Sequence, residues 1–194
     1  MAKKTVVIDF HAHIAATEIL EKTFSHSQFA RAIAKSKPGS EGIDIPKPYL
    51  DRMSDMKIRF KKMDRMWIDI QVIRASILQQ CPYWAKPEVA LKMERQSNDF
   101  VAEAVAQHPD RLVGIGSVPL QDVKLAVNAL ERAFTKNGLK GVIIGSNVNR
   151  DELGHKKFKP FWRKAEKLGA AIFIHPTGST DPRMRAHYQM ITVG

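Results

Sequence analysis

Short apolar runs alternate with longer segments of helical spacing along this chain. Val6-Val7-Ile8-Asp9-Phe10 predicts a buried strand. An irregular stretch follows from about Ala15 to Pro48, and its Ser36-Lys37-Pro38-Gly39-Ser40-Glu41-Gly42 segment reads as a loop. Leu50, Met53, Met56, Phe60 and Met63 then recur three and four residues apart, which predicts one amphipathic helix. Ile68 to Ile73 predicts a second strand. Glu88 to Gln107 predicts a helix with Val89, Met93, Phe100, Val101 and Ala104 inward, stopped by Pro109. A third strand is expected from Leu112 to Val118, a helix from Asp122 to Lys136 with Gly138 as its cap, and a fourth strand from Gly141 to Gly145. Phe158 to Leu168 reads as a further helix capped by Gly169, and Ala170 to His175 as a fifth strand.

Strands that are near-continuous apolar runs, each followed by a helix, imply a parallel sheet covered by helices. The open doubly wound form commonly carries a glycine-rich first turn, whereas this first strand ends in histidines. The expected fold class is therefore α/β, of the (β/α)8 TIM-barrel type. Such barrels need eight strands and about 250 residues. With about five strands legible in 194 residues, residues 1–194 are expected to form one incomplete barrel domain, an N-terminal portion that cannot close or turn over substrate alone.

Composition changes this picture little. Hydrophobic residues make up 44% and charged residues 26%, ordinary values for a globular protein. No apolar run is long enough to span a membrane, and Thr5 to Phe10 is too short and too polar for a secretory leader, so a cytoplasmic location is expected. Cys81 is the single cysteine, which excludes an internal disulfide and reads as an inert thiol. The net charge of +11 invites a nucleic-acid reading. However, Lys156, Lys157, Lys159, Arg163, Lys164 and Lys167 ring one helix that turns Phe158, Phe161, Trp162, Ala165 and Leu168 inward, as a solvated face does. With no RNA-binding aromatic motif, zinc finger or phosphate loop, neither nucleic acid nor membrane is expected as a partner.

Asp9-Phe10-His11-Ala12-His13 carries the most chemistry. Residues two apart in a strand share a face, so His11 and His13 point the same way at the strand's C-terminal end, where barrels of this type build their sites. His175 also ends an apolar strand, ahead of Pro176. Three imidazoles from two strand ends suit a divalent ion, with Zn2+ favoured and Mn2+ the alternative. By the same even spacing Asp9 falls on the His11 face, one layer deeper, either orienting a ligand histidine or holding the strand end.

Taken with Arg59 through Met63-Asp64, Tyr83-Trp84-Ala85-Lys86-Pro87-Glu88, Asn98-Asp99, His108-Pro109-Asp110-Arg111-Leu112, Gly141 to Gly145 and Ile174-His175-Pro176, the histidine strand resembles the amidohydrolase superfamily. The likeness is to its branch of aminocarboxymuconate-semialdehyde and related aromatic-acid decarboxylases. That resemblance implies a metal-dependent carboxy-lyase acting on an unsaturated or aromatic carboxylic acid. It implies His11, His13 and His175 as metal ligands and Arg59 as the grip on a substrate carboxylate, a task a guanidinium fork suits. A proton-handling histidine and a last metal-binding aspartate are expected beyond Gly194, so no catalytic residue is assigned. A homodimer is expected at full length. Metal-dependent hydrolysis of a lactone or amide is the alternative activity, and an inactive truncated remnant the third reading. Two departures stand out: Trp67 occupies a place where the family commonly has glycine, and His187-Tyr188 and Ile191 stand where it has aromatic residues.

Overall fold

The computed structural model describes residues 5–15, 47–76 and 81–176. The Ser36–Gly42 loop and the His187–Ile191 segment lie outside the described residues. In chain order the elements are β1 (Ile8–Ile14), α1 (Lys47–Ser54), α2 (Met56–Arg65), β2 (Ile70–Ala75), α3 (Pro87–Gln107), β3 (Leu112–Gly114), β4 (Gly116–Ser117), α4 (Val123–Thr135), β5 (Gly141–Gly145), β6 (Asn147–Val148), β7 (Asp151–Glu152), a 3-10 turn (Lys156–Phe158), α5 (Lys159–Leu168) and β8 (Ala171–His175). None of the described helices is long and apolar enough to cross a membrane.

β1, β2 and β3 pair in parallel in that order, as do β4, β5 and β8. Only Ile115 separates β3 from β4, and its N–H donates to the Ile73 carbonyl at 3.0 Å. Leu112 to Ser117 thus acts as one interrupted strand that pairs with β2 in its first half and β5 in its second. The resulting order is strictly sequential, as in a barrel. A doubly wound sheet would reverse its strand order part-way.

Apolar side chains divide between two faces of this sheet. Ile73, Leu112, Val142 and Ile144 join the large core under the helices, with Val101, Leu130, Phe158 and Phe161. Their alternating neighbours Val72, Ile115 and Ile143 form a second, inner cluster, against which Val113 and Phe173 pack. Two buried faces explain why the strands read as unbroken apolar runs.

Several element boundaries differ from those the sequence predicts, each for a local reason. The methionine-rich helix is two helices, because Asp55 breaks it and caps α2, its Oδ1 accepting from Lys57 N at 2.7 Å and Ile58 N at 3.2 Å. The buried face of α3 is Ala90, Glu94, Ser97, Asn98, Val101 and Ala104, while Val89 is 49% exposed. Polar residues on the buried stripe had rotated the apolar pattern. Asn98 explains part of this: its side chain donates to Ser117 O at 3.0 Å and accepts from Ser117 N at 2.8 Å, standing in for a strand partner. A Cβ at Gly116 would lie 2.7 Å from Asn98 Oδ1, so glycine is what lets the amide reach the backbone. The basic helix behaves as expected, with Phe158, Phe161 and Ala165 buried and Lys164 paired with Glu131 at 2.7 Å.

Candidate metal centre

β1 begins two residues later than the sequence predicts and runs through both of its histidines. Asp9 pairs with Gln71, but the next registered pair is Ala12 with Ile73, so β1 carries one extra residue between them. This bulge breaks the two-residue alternation and re-aims the side chains around His11. Asp9 Oδ1 accepts from the His11 backbone N–H at 3.0 Å, and Oδ2 accepts from Gln71 Nε2 at 2.8 Å. Of the two roles expected for Asp9, these contacts match holding the strand end.

The three histidines meet. His11 Nε2 and His13 Nε2 are 3.2 Å apart. The His175 ring centre lies 5.4 Å from that of His11 and 5.8 Å from that of His13. One nitrogen from each ring falls within 4.8 Å of the other two. Among the described strands, β1 and β8 are the outer ones of the sequential order. On a flat sheet, four inter-strand steps would hold them roughly 19 Å apart. Their side chains touch because the sheet curls and both strands aim at its concave side.

The donor set fits a divalent ion. His13 Nδ1 lies 3.0 Å from Ala75 O, and His175 Nδ1 lies 3.0 Å from Pro176 O. A carbonyl can only accept, so each Nδ1 carries the proton and each Nε2 presents a bare lone pair, the arrangement common for metal-ligating imidazoles. Nitrogens about 2.0–2.1 Å from a tetrahedral ion stand about 3.3–3.4 Å from one another, close to the His11–His13 spacing. Burial pushes the His13 imidazole down to about 4, and the Arg74 charge and neighbouring imidazoles add to this against the Ala75 carbonyl. Burial also lowers His11 and His175 below the ordinary imidazole value. The lowering favours the neutral form of each ring, the form that metal ligation requires.

Arg59 is not brought to the imidazoles. It is 7% exposed, with Nη1 donating to Gln71 Oε1 at 2.9 Å and Nη2 to the backbone carbonyls of His13, Arg52 and Met53. It ties α1 and α2 to the ends of β1 and β2. Arg74 does reach the cluster and was missed, because the sequence pattern ends this strand at Ile73 and β2 runs on to Ala75. A charged residue continuing an apolar run was the available signal.

The other motif segments are structural in their contacts. Arg111 pairs with Asp64 at 2.8 Å and donates from Nε to Asp69 O at 3.0 Å, clasping the turn into β2. Tyr83 is buried and its hydroxyl accepts from Gly145 N at 3.1 Å, docking its loop on the end of β5. Burial pushes the Cys81 thiol up to about 12, in keeping with an inert cysteine. Trp67 adopts φ 57°, a left-handed backbone that glycine takes readily, and is 84% exposed.

A family model described as amidohydrolase matches residues 8–194. The chain belongs to the amidohydrolase family. It is 39% identical over 122 residues to the 2-amino-3-carboxymuconate-6-semialdehyde decarboxylase of Dictyostelium discoideum, covering 63% of this chain and 34% of that protein. It is 30% identical over 174 residues to the gamma-resorcylate decarboxylase of Rhodococcus jostii (strain RHA1), covering 80% and 51%. This chain therefore spans between a third and about half the length of these relatives. Among solved structures it resembles the 5-carboxyvanillate decarboxylase of Sphingomonas paucimobilis, with TM-score 0.81, 23% identity, and 97% of this chain and 58% of that one covered. It also resembles a dihydroxybenzoic acid decarboxylase from Polaromonas sp. JS666 with bound manganese and 2-nitroresorcinol, with TM-score 0.74 and 23% identity over 96% and 54%. The amidohydrolase chain shares the barrel fold of these structures, of which the described residues supply five parallel strands.

Proposed function

We propose that this protein is part of a metal-dependent, non-oxidative decarboxylase of an aromatic or unsaturated carboxylic acid. The observation that carries the reading is the meeting of His11, His13 and His175, two of them with Nδ1 tied to a carbonyl and Nε2 left for an ion. The names of the relatives supply the reaction class, since gamma-resorcylate, 5-carboxyvanillate and 2-amino-3-carboxymuconate 6-semialdehyde are all carboxylates.

Decarboxylation replaces a carbon–carboxylate bond with a carbon–hydrogen bond. The electron pair of the broken bond stays on carbon and takes up a proton, and CO2 leaves. When bound, the divalent ion supplies Lewis acidity that draws electron density during this shift. His11, His13 and His175 would hold it, with zinc favoured by three nitrogen donors and manganese supported by the Polaromonas relative. Spent as ligands, they leave the proton to another group. The neutral form of the imidazoles keeps protons from competing with the ion. In this reading Arg59 acts on position: its Nη2 holds the His13 carbonyl, and its guanidinium braces the strand end that carries two ligands.

The test uses the full-length, metal-loaded protein with 2,6-dihydroxybenzoate, 5-carboxyvanillate and 2-amino-3-carboxymuconate 6-semialdehyde. CO2 release from at least one of them, lost on metal removal and restored by Zn2+ or Mn2+, is expected. Lactone or amide hydrolysis without CO2 release from any acid would favour the hydrolase reading instead.

A further inference from the structure

Arg74 lies on β2 beside His13 in the strand register and is fully buried. It follows Val72 by two residues, which puts it on the concave face with the inner cluster. Its guanidinium carbon sits 3.9 Å from the centre of the Phe173 ring. That ring is stacked on Phe10 at 6.0 Å and edge-on to His11 at 5.3 Å. Nη1 donates to Phe10 O at 3.2 Å. The cation is thus packed among the side chains that flank the histidines.

Its remaining donors, Nε and Nη2, are buried with no hydrogen-bond partner among the described residues. These two form a particular pair. On a planar guanidinium, Nε–H and one Nη2–H point the same way from one edge, the edge that matches both oxygens of a carboxylate. A buried cation left unpaired is costly, so such a fork calls for an anion. Among the described residues, the acid whose charge Arg74 feels is Asp9, and both Asp9 oxygens already accept from His11 and Gln71. Three imidazoles, and a divalent ion when loaded, add no negative charge.

We propose that Arg74 is a carboxylate-binding residue of this metal centre, its Nε/Nη2 edge receiving a carboxylate of the acid substrate. The proposal rests on the reading that the site takes a carboxylic acid, but not on turnover. The assignment moves the carboxylate grip from Arg59, whose Nη donors are spent on the fold, to an arginine whose free donors form a fork.

Calorimetric binding to the full-length, metal-loaded protein separates the outcomes. The probes are 2,6-dihydroxybenzoate and resorcinol, the same ring without its carboxylate. R74M is expected to weaken the benzoate by about tenfold or more, to leave resorcinol within about twofold, and to retain the metal. R74K, which keeps the charge but loses the fork, is expected to fall between, and it decides the matter by the same ratio if R74M does not fold. Equal weakening of both probes, or of neither, overturns the proposal. So does a large fall in melting temperature with benzoate selectivity unchanged, which would mean that a carboxylate of the protein fills the fork. If wild-type protein binds the benzoate through Arg74 yet releases no CO2 from any acid, the decarboxylase reading fails and this one stands.

Discussion

β5 and β8 are hydrogen-bonded neighbours of similar composition, Gly-Val-Ile-Ile-Gly and Ala-Ile-Phe-Ile-His. Every residue of β5 is buried, whereas Ile174 of β8 is 52% exposed and only His175 is buried there. β1, at the other end of the order, repeats the contrast with Ile8 at 53% and Phe10 at 50%. An apolar run therefore identifies a strand without saying how many of its faces are covered. Among the five described strands the inner ones are the better covered, while β1 and β8 supply the histidines and bring them together by curvature.

The sharpest way to break this contrast is a matched pair of truncations. Ile144→Ala, at a site with no exposure, is expected to cost about 2–5 kcal/mol of unfolding free energy. In the 194-residue chain, Ile174→Ala on the neighbouring strand is expected to cost under about 1 kcal/mol, because much of that side chain already meets water. Denaturant melts of the two variants check this, and equal losses would show that β8 is as well packed as β5.

Arg59 ties outer strand β1 to the helices. Arg59→Ala should cost about 2–4 kcal/mol by stranding the His13 carbonyl and Gln71. A full-length enzyme that keeps its melting temperature but loses substrate affinity would instead restore the carboxylate-gripping role.

The histidines predict a pH dependence whose sign follows from their lowered values. Without metal, the unfolded chain protonates His13 near 6.5, while the folded chain resists until about 4. Between those values the unfolded state binds more protons, so stability falls as pH drops from 6.5 to 4 and changes no further from this group below that. Allowing for its partial exposure, the loss is about 2 kcal/mol. Unfolding free energies of wild type and His13→Gln at pH 7.5 and 4.5 isolate it, and a parallel fall in both proteins would remove His13 as the cause.

The smallest effect is expected at Trp67, which adopts a left-handed φ of 57° with its side chain in solvent. Trp67→Gly should raise stability by about 1 kcal/mol by relieving that backbone. A lower melting temperature would mean that the exposed indole has a partner.

The sequence made the barrel class legible because near-continuous apolar runs mark β2, β5 and β8, whether one face of the strand is covered or both. The His-x-His pair and His175 were legible because all three stand at strand ends. What stayed hidden was whatever departs from periodicity. The bulge after Asp9 has no composition signature, and the even-spacing rule fails across it. Glu94, Ser97 and Asn98 are polar yet buried, so the face of α3 was read off by a rotation. Arg74 lies one residue past the point where the apolar run of β2 stops, although the ladder continues.

The claim on which the functional account depends is that the ends of β1 and β8 form one metal centre. Metal affinity, measured by competition with a chelator on the full-length protein and on His11→Ala, His13→Ala, His175→Ala and His155→Ala, tests it most directly. His155 caps the 3-10 turn through Lys157 N and serves as the control. The account predicts one tightly held divalent ion in wild type and His155→Ala, and an affinity lower by about tenfold or more in each of the other three. Unchanged affinity in His175→Ala, or an equal loss in His155→Ala, would contradict it.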